Sequence, residues 1–399
     1  MRVTHVITRL IVGGAQENTV ASVLGLRRMP GLQVDLISGP ATGPEGSLGH
    51  LCAAEPGLLT TLPQLVRRIN PWTDWLALRA LTRTFLGTHP DIVHTHSGKA
   101  GLLGRLAAAR ASVPVVIHTI HGPSFGAFQG PLANALFTTA ERRAARVTTH
   151  FVVVCDAMKE QYLAAGIGEP AQYTKILSGF ELGPFLSATN DLRLRDRLGI
   201  RPDDLVIGKI ARLFKLKGHD DLFAVATNLV RACPRIKFLL VGDGPWRGRF
   251  EAKACALGLQ DRFVFAGLVP PEKVASFVGV MDVLVHLSAR EGLARALPQA
   301  MAAGRPVVAY DADGAGEVCR DGETGFLVRR GDLETVQKRL LQLAEDPELR
   351  NRLGRAGREF VRGRFGVDRM VEDLYSLYTR LEAQRLRGSP PLSTHRIAC

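Results

Sequence analysis

Short apolar runs alternate with longer amphipathic ones along most of this chain, and that rhythm limits the fold more than any other feature. Parallel strands need a crossover between them, and a helix is the usual one, so the pattern reads as strand–helix–strand repeats. In the first half the candidate strands are 3–8, 33–38, 91–95, 114–120 and 150–155. The second half repeats the rhythm with 205–210, 237–241, 262–266, 283–287 and 306–309. Helices are expected between them, among others at 16–26, 75–86 and 222–232. No short-period repeat appears, which excludes solenoids and propellers. The expectation is an α/β protein of two doubly wound parallel sheets side by side. The break falls near Gly183-Pro184, ahead of a charged helix at 191–198, giving domains 1–183 and 184–365. The pattern is helical over 366–386, and 387–399, with Pro390-Pro391, reads as a flexible tail.

The length of 399 residues fits two domains, and 46% hydrophobic with 22% charged residues is the composition of a globular chain. Six cysteines (Cys52, Cys155, Cys233, Cys255, Cys319, Cys399) are scattered without a Cys-x-x-Cys pair. They fit a reduced interior better than a disulfide frame or a zinc site. The formal net charge of +13 raises nucleic acid as a partner. The excess is uneven, since residues 349–399 alone hold 11 Lys/Arg against 5 Asp/Glu. No Arg/aromatic platform or zinc-finger spacing accompanies it, so no nucleic-acid partner is expected. A solvated helix face is the plain reading, and contact with an anionic membrane the sharper one. His5 and Arg9 interrupt the first apolar run, unlike a signal peptide. The longest stretch free of charged residues, 111–140, carries three prolines and three glycines and does not suit a membrane span. A cytoplasmic protein, at most peripheral on the inner membrane face, is expected.

Open parallel sheets bind ligands beyond the carboxyl ends of their strands, and three clusters fall there. After the first strand, Gly13-Gly14-Ala15-Gln16 leads into a helix. Two glycines let backbone N–H groups approach a ligand, and the helix N-terminus favours phosphate. The G-x-G-x-x-G spacing is absent and no acid ends the second strand at Leu36-Ile37-Ser38, which counts against a nicotinamide dehydrogenase. After the first strand of the second half stand Arg212 and Lys217, a planar fork and a mobile point charge suited to phosphate oxygens. The third cluster spans 288–308. Glu291, Gly292 and Leu293 follow a strand there, and Gln299 lies in the next helix. Both Glu291 and Gln299 suit a polyhydroxylated ligand.

Further segments join these in order: Pro90-Asp91-Ile92-Val93-His94-Thr95-His96, His118-Thr119-Ile120-His121-Gly122, Val241-Gly242-Asp243-Gly244-Pro245 and Gly322-x-x-Gly325-Phe326-Leu327-Val328. Together they make the chain resemble the retaining glycosyltransferases of the GT-B fold, family 4, over about residues 1–380. The most specific part is the E-x7-E region, here Glu291-x7-Gln299, with Gly304-Arg305-Pro306-Val307-Val308 after it. The resemblance implies two Rossmann-like domains facing a cleft, with the C-terminal helix crossing back to the first. It implies a nucleotide-diphosphate sugar as co-substrate, a glycan or lipid-linked acceptor, no cofactor and no metal. Catalytic roles carry over to Glu291, Arg212, Lys217 and His121. Donor binding carries over to Gly13, Gly14, Arg212, Lys217, Glu291, Gly292, Leu293 and Gln299. By the same resemblance Gly14 approaches the donor β-phosphate, and Arg212 and Lys217 hold the diphosphate. Glu291 meets sugar hydroxyls, and Gln299, standing where the family has a second Glu, meets the ribose. His121 lies near sugar and acceptor, whereas His118 falls within a strand. Same-face substitution, with the leaving phosphate taking the acceptor proton, accounts for the lack of an evident carboxylate nucleophile.

Sharper readings are resisted elsewhere. Asp311-Ala312-Asp313 has the form of a metal-binding D-x-D, but it follows a strand in a Gly-rich loop, and the diphosphate already has two cations. His94-x-His96 has no evident third ligand and reads as polar strand-end residues. Asp243 is expected to shape its turn. Glu317 is either a donor-loop residue or a helix-start acid. Acceptor contacts are expected in the loops 40–62 and 123–136. The segment 70–75, with Trp72 and Trp75 after Arg67-Arg68, is either a contact for a lipid-linked acceptor or two tryptophans packing a helix start. Two alternatives to transfer stand: a sugar-nucleotide epimerase on the same fold, and a donor-binding protein that has lost transfer with Gln299.

Overall fold

The computed structural model describes residues 1–41, 46–126 and 128–388. Seven strands form the first sheet: β1 (Arg2–Arg9), β2 (Gln33–Gly39), β3 (Leu59–Thr61), β4 (Ile92–His96), β5 (Val115–Ile120), β6 (His150–Val153) and β7 (Tyr173–Lys175). Their order is β3-β2-β1-β4-β5-β6-β7, and every adjacent pair is parallel. Six form the second: β8 (Leu205–Ile210), β9 (Ile236–Val241), β10 (Phe263–Gly267), β11 (Val283–His286), β12 (Val307–Tyr310) and β13 (Gly325–Val328). That sheet runs β10-β9-β8-β11-β12-β13, again all parallel. The ten expected strands all form, and β3, β7 and β13 are additions at sheet edges.

The two-residue period of β1, β4 and β5 decides what covers each face. Val3, Ile7, Ile92, Val115 and Ile117 pack on one face with the helices Gly14–Leu26 and Val367–Gly388. Val6, Val93 and Val116 pack on the other with Ala77, Leu81 and Phe85 of Pro71–Thr88 and Leu103 and Ala107 of Gly98–Arg110. With both faces covered, the strands read as continuous apolar runs. Met370, Val371, Leu374, Leu377, Tyr378 and Leu381 recur at helical spacing and are buried in the first sheet's core, so the last helix does cross back. Each such apolar side chain contributes about 1.5–3 kcal/mol when fully buried, which offsets the entropy of ordering this segment. Of the expected tail, residues 389–399 lie outside the described residues, as do 42–45 and 127 of the two expected acceptor loops.

Candidate active site

Strand order reverses between β1 and β4 in the first sheet and between β8 and β11 in the second. Ligand crevices open beyond the carboxyl ends of strands at such points. The loops after these strands carry the candidates.

The loop after β8 holds Arg212 and Lys217. Leu216 takes a φ of 70°, and its carbonyl accepts from Ala289 N (2.8 Å), which ties this loop to the one after β11. Gly218 follows at φ 67°, where a Cβ would lie 1.8 Å from the Leu287 carbonyl oxygen. Only glycine lets the chain enter the helix His219–Ala232 at that point. Lys217 Nζ is thereby brought to 2.5 Å from Glu291 Oε1, and Ser288 Oγ donates to the same oxygen at 3.0 Å. Burial alone pushes the Glu291 carboxyl up, but the Lys217 ammonium outweighs it, with help from the Ser288 hydroxyl, and holds it below the ordinary value. Glu291 is a fixed anion.

Asp313, at φ 49°, accepts the Glu291 N–H at 2.6 Å and so orients that residue, while Asp311 is exposed. Arg212 is half-buried, its guanidinium 5.2 Å from the Phe214 ring centroid. Beneath this group lie residues that the sequence reading did not single out. Lys209 of β8 is buried with no hydrogen-bond partner for Nζ among the described residues, and burial, with Lys217 nearby, lowers it to about 7. His286 of β11 lies 3.7 Å from Glu291 Oε1 and is held neutral by burial, at about 3. A lysine inside the apolar run 205–210 was the one available signal.

From the first half, Gly13 has extended backbone and Gly14 opens a helix that has no side-chain cap. A Cβ on Gly14 would meet only Arg295 Cδ, at an ordinary 3.5 Å, so the protein's own packing does not demand glycine there. Arg295 reaches across from the second half, with Nη1 2.8 Å from Glu17 Oε2 and 3.5 Å from the Gly14 carbonyl. It too escaped the sequence reading, although it stands between Glu291 and Gln299. Gln299 lies in the helix Ala296–Ala302, half-buried, and its side-chain amide has no partner among the described residues. Gly292 is pressed against His121: a Cβ would come 2.0 Å from the His121 carbonyl oxygen. Leu293 is buried beside it. His121 thus stands at the junction of the halves, lowered to about 4 by burial and then by Arg295.

Other sequence candidates fall elsewhere. Glu317 is taken up in capping a helix of the first half: it accepts from Asp156 N (2.6 Å) and Ala157 N (3.3 Å), and pairs with Lys175 at 2.9 Å. It is a helix-start acid, but for the helix Asp156–Ala164 across the junction. Asp243 does shape its turn, accepting from Gly244 N at 2.7 Å. His94 and His96 are buried, and His5 supplies the third ring nearby that the sequence did not suggest, with nitrogens of all three within 4.8 Å of one another. Asn70 caps the helix Pro71–Thr88, and Trp72 and Trp75 stack on each other at 5.1 Å while staying exposed. A hollow lined by Met1, Arg2, Gln33, His89 and Asp91 lies at the opposite, amino edge of the first sheet, where no such groups converge.

Two family models match this chain: glycosyl transferases group 1 over residues 190–360, and glycosyl transferase 4-like domain over 13–176. EpsD of Bacillus subtilis (strain 168) is 32% identical over 307 residues, 74% of this chain and 78% of that protein. The chain belongs to the group 1 glycosyltransferases. The UDP-Gal:alpha-D-GlcNAc-diphosphoundecaprenol alpha-1,3-galactosyltransferase of Escherichia coli is 26% identical over 324 residues, 79% of this chain and 82% of that one. The crystal structure of HepE from Anabaena in complex with UDP and glucose has a TM-score of 0.81 at 19% identity, covering 95% of this chain and 100% of that one. That likeness gives this glycosyltransferase the GT-B fold. Its group 1 segment carries Arg212, Lys217, Glu291 and Gln299, and its 4-like segment carries Gly13, Gly14 and His121. Among the described residues no helix is long and apolar enough to cross a membrane.

Proposed function

We propose that this glycosyltransferase moves a hexosyl group, with retention, from a nucleoside-diphosphate sugar to a glycan or lipid-linked acceptor in cell-surface polysaccharide or glycolipid assembly. The observation that carries the reading is the loop after β8. It sets Arg212 and Lys217 at the carboxyl edge of the sheet, with Glu291 2.5 Å from Lys217. A diphosphate bound there meets two cations and the N–H groups of the uncapped helix Gly14–Leu26. Gly14, which packing does not require, lets the β-phosphate come close, with Gly13 before it.

As the C1–O bond to the diphosphate breaks, positive charge grows on the sugar ring and negative charge on the leaving group. Arg212 and Lys217 stabilise the second more than they stabilise bound donor, and Glu291 accepts from sugar hydroxyls beside the first. The acceptor oxygen bonds C1 on the face that the phosphate leaves, and the acceptor proton passes to a phosphate oxygen. Gln299 pairs with the ribose, since its amide both donates and accepts. The two cations take the part a divalent ion plays elsewhere, so transfer is expected to persist in chelator; complete loss restored by manganese would overturn this and return Asp311 and Asp313 to consideration.

The Escherichia coli relative, named for a diphosphoundecaprenol acceptor, supports a lipid-linked acceptor here. So does the exposed set Ile69 (63%), Trp72 (65%) and Trp75 (41%) beside Arg67 and Arg68, which suits an anionic membrane surface. A thermal-shift screen of UDP-, GDP- and ADP-sugars tests donor binding. A donor at one hundred times its Kd adds about 2.7 kcal/mol of stability. One nucleotide series is expected to raise the melting temperature; no response to any would remove the donor site.

A further inference from the structure

We infer that Tyr378, His5 and His96 are positioning residues for His121, which a single file of hydrogen bonds holds as an imidazole protonated on Nδ1. The inference rests on the reading of His121 as a group beside sugar and acceptor.

Parallel register sets His5 opposite His94 and His96 opposite Thr119, on the sheet face that the helix Val367–Gly388 covers. The file starts at Thr119, whose Oγ1 lies 2.6 Å from His94 Nε2. His94 Nδ1 meets the Tyr378 hydroxyl at 2.5 Å, and that hydroxyl meets His5 Nε2 at 3.2 Å. His5 Nδ1 lies 2.9 Å from His96 Nε2, and His96 Nδ1 lies 3.0 Å from His121 Nε2. Everything from Thr119 to His96 is buried. Burial lowers His5 to about 3 and His121 to about 4, and with neighbouring charge it holds His94 and His96 well below the ordinary value. At neutral pH each ring therefore carries one N–H, one donor and one acceptor.

Each joint holds one proton, so only two orders of the whole file exist. In the first, Thr119 donates to His94, His94 to Tyr378, Tyr378 to His5, His5 to His96, and His96 to His121 Nε2. The His121 proton is then on Nδ1. In the second, every bond reverses, and Thr119 accepts from His94. The far end decides between them. Thr119 Oγ1 has no other partner among the described residues, so the second order leaves a buried hydroxyl proton unpaired. The first order pairs it. His121 Nδ1 has no protein partner among the described residues and points the file's last N–H at whatever binds there. At that atom His121 donates a hydrogen bond; it does not take the acceptor's proton.

A metal held by His5, His94 and His96 fits the geometry less well. The His5 and His96 rings lie within 11° of parallel and meet edge to edge, Nδ1 to Nε2 at 2.9 Å, so the lone pair along that contact is directed at the neighbouring ring and not at a shared ion. Both nitrogens of each ring are already engaged in the file.

Protein labelled with 15N-histidine, observed by long-range 1H–15N NMR of the imidazoles, tests the assignment. Wild type is expected to show His121 protonated on Nδ1 with a bare Nε2. Thr119→Val removes the donor that sets the order and leaves His94 Nε2 unpaired in either order, so the two forms of His121 should become mixed and the melting temperature should fall somewhat. Turnover should fall several-fold at unchanged donor KM. Tyr378→Phe cuts the file in its middle and should give mixed tautomers, which keeps the test available if the first variant fails to fold. A wild-type His121 protonated on Nε2, or a tautomer unchanged in the folded variants, would overturn the inference. One zinc ion per chain, released by His96→Asn, would overturn it too. The tautomer is read without substrate, so absence of transfer would count against the proposed function alone.

Discussion

Replacing Glu291 with glutamine should tighten nucleoside-diphosphate binding while slowing transfer, because Lys217 is engaged by Glu291 before any donor arrives. The two charged atoms are 2.5 Å apart, and the side chains are 27% and 26% exposed. An exposed pair contributes up to about 1 kcal/mol, whereas breaking a buried one costs about 3–5 kcal/mol. The Lys217–Glu291 pair lies between these limits. Lys217 is long enough to touch a phosphate oxygen without wholly leaving Glu291, so only part of the pairing energy is released on substitution. About 1 kcal/mol, or about fivefold in Kd, follows. Glutamine keeps the shape and can still accept from Ser288 Oγ. Calorimetric titration with UDP, the ligand in the HepE crystal structure, should therefore show tighter binding by Glu291→Gln than by wild type. Turnover should drop by about a hundredfold or more, since charge-assisted bonds to the sugar strengthen as the ring becomes cationic. The Glu291 carboxyl is lowered in the folded chain, so its contribution to stability is present above the unfolded value and is lost as pH falls through the folded one. The melting difference between wild type and variant should close in acid. Weaker UDP binding by the variant would show that Lys217 does not serve the diphosphate. Near-normal turnover would take Glu291 away from the sugar.

Arg212→Ala is expected to lower turnover by about a hundredfold, about 2.7 kcal/mol, the effect of removing one electrostatic donor; rates near wild type would remove it from that role. Gln299→Glu should change donor KM by about tenfold or less with similar turnover, as one charge-assisted bond is worth about 1 kcal/mol more than a neutral one. Transfer by that variant but not by wild type would mark a lost activity. Lys209 titrates near 7 when folded against 10.5 for an ordinary lysine, so the unfolded chain binds more protons between those values. Stability should rise with pH across that window, with the full penalty present below it. Lys209→Met should therefore raise the melting temperature most near pH 6 and least near pH 10; equal gains at both would refute the buried-amine account.

The strands of both sheet centres were legible because burial on two faces leaves continuous apolar runs. Neither edge strand of the first sheet was: Leu59–Thr61 and Tyr173–Lys175 are too short to carry a period. Helix starts were read late, as at Pro71, although Asn70 before a proline is a readable cap. Glu291, Lys217 and Arg212 were visible because glycines and strand ends flank them. The supporting groups were hidden, since contacts such as Asp313 to Glu291 N or Arg295 to Glu17 depend on the tertiary meeting of distant loops. His94-x-His96 showed an odd polar pair in a buried strand. Its partners, His5 on β1 and Tyr378 on the last helix, are set by parallel register and by the helix crossing back, neither of which spacing reveals.

The central claim is retaining transfer from a nucleoside-diphosphate sugar. It is tested most directly by incubating the enzyme with the α-configured donor that stabilises it and a lipid-linked or glycan acceptor, then reading the anomeric proton coupling of the product by NMR. The account predicts an α-linked product, formed in step with nucleoside diphosphate release. A β-linked product would contradict same-face substitution, and nucleotide release without any sugar on the acceptor would contradict transfer itself.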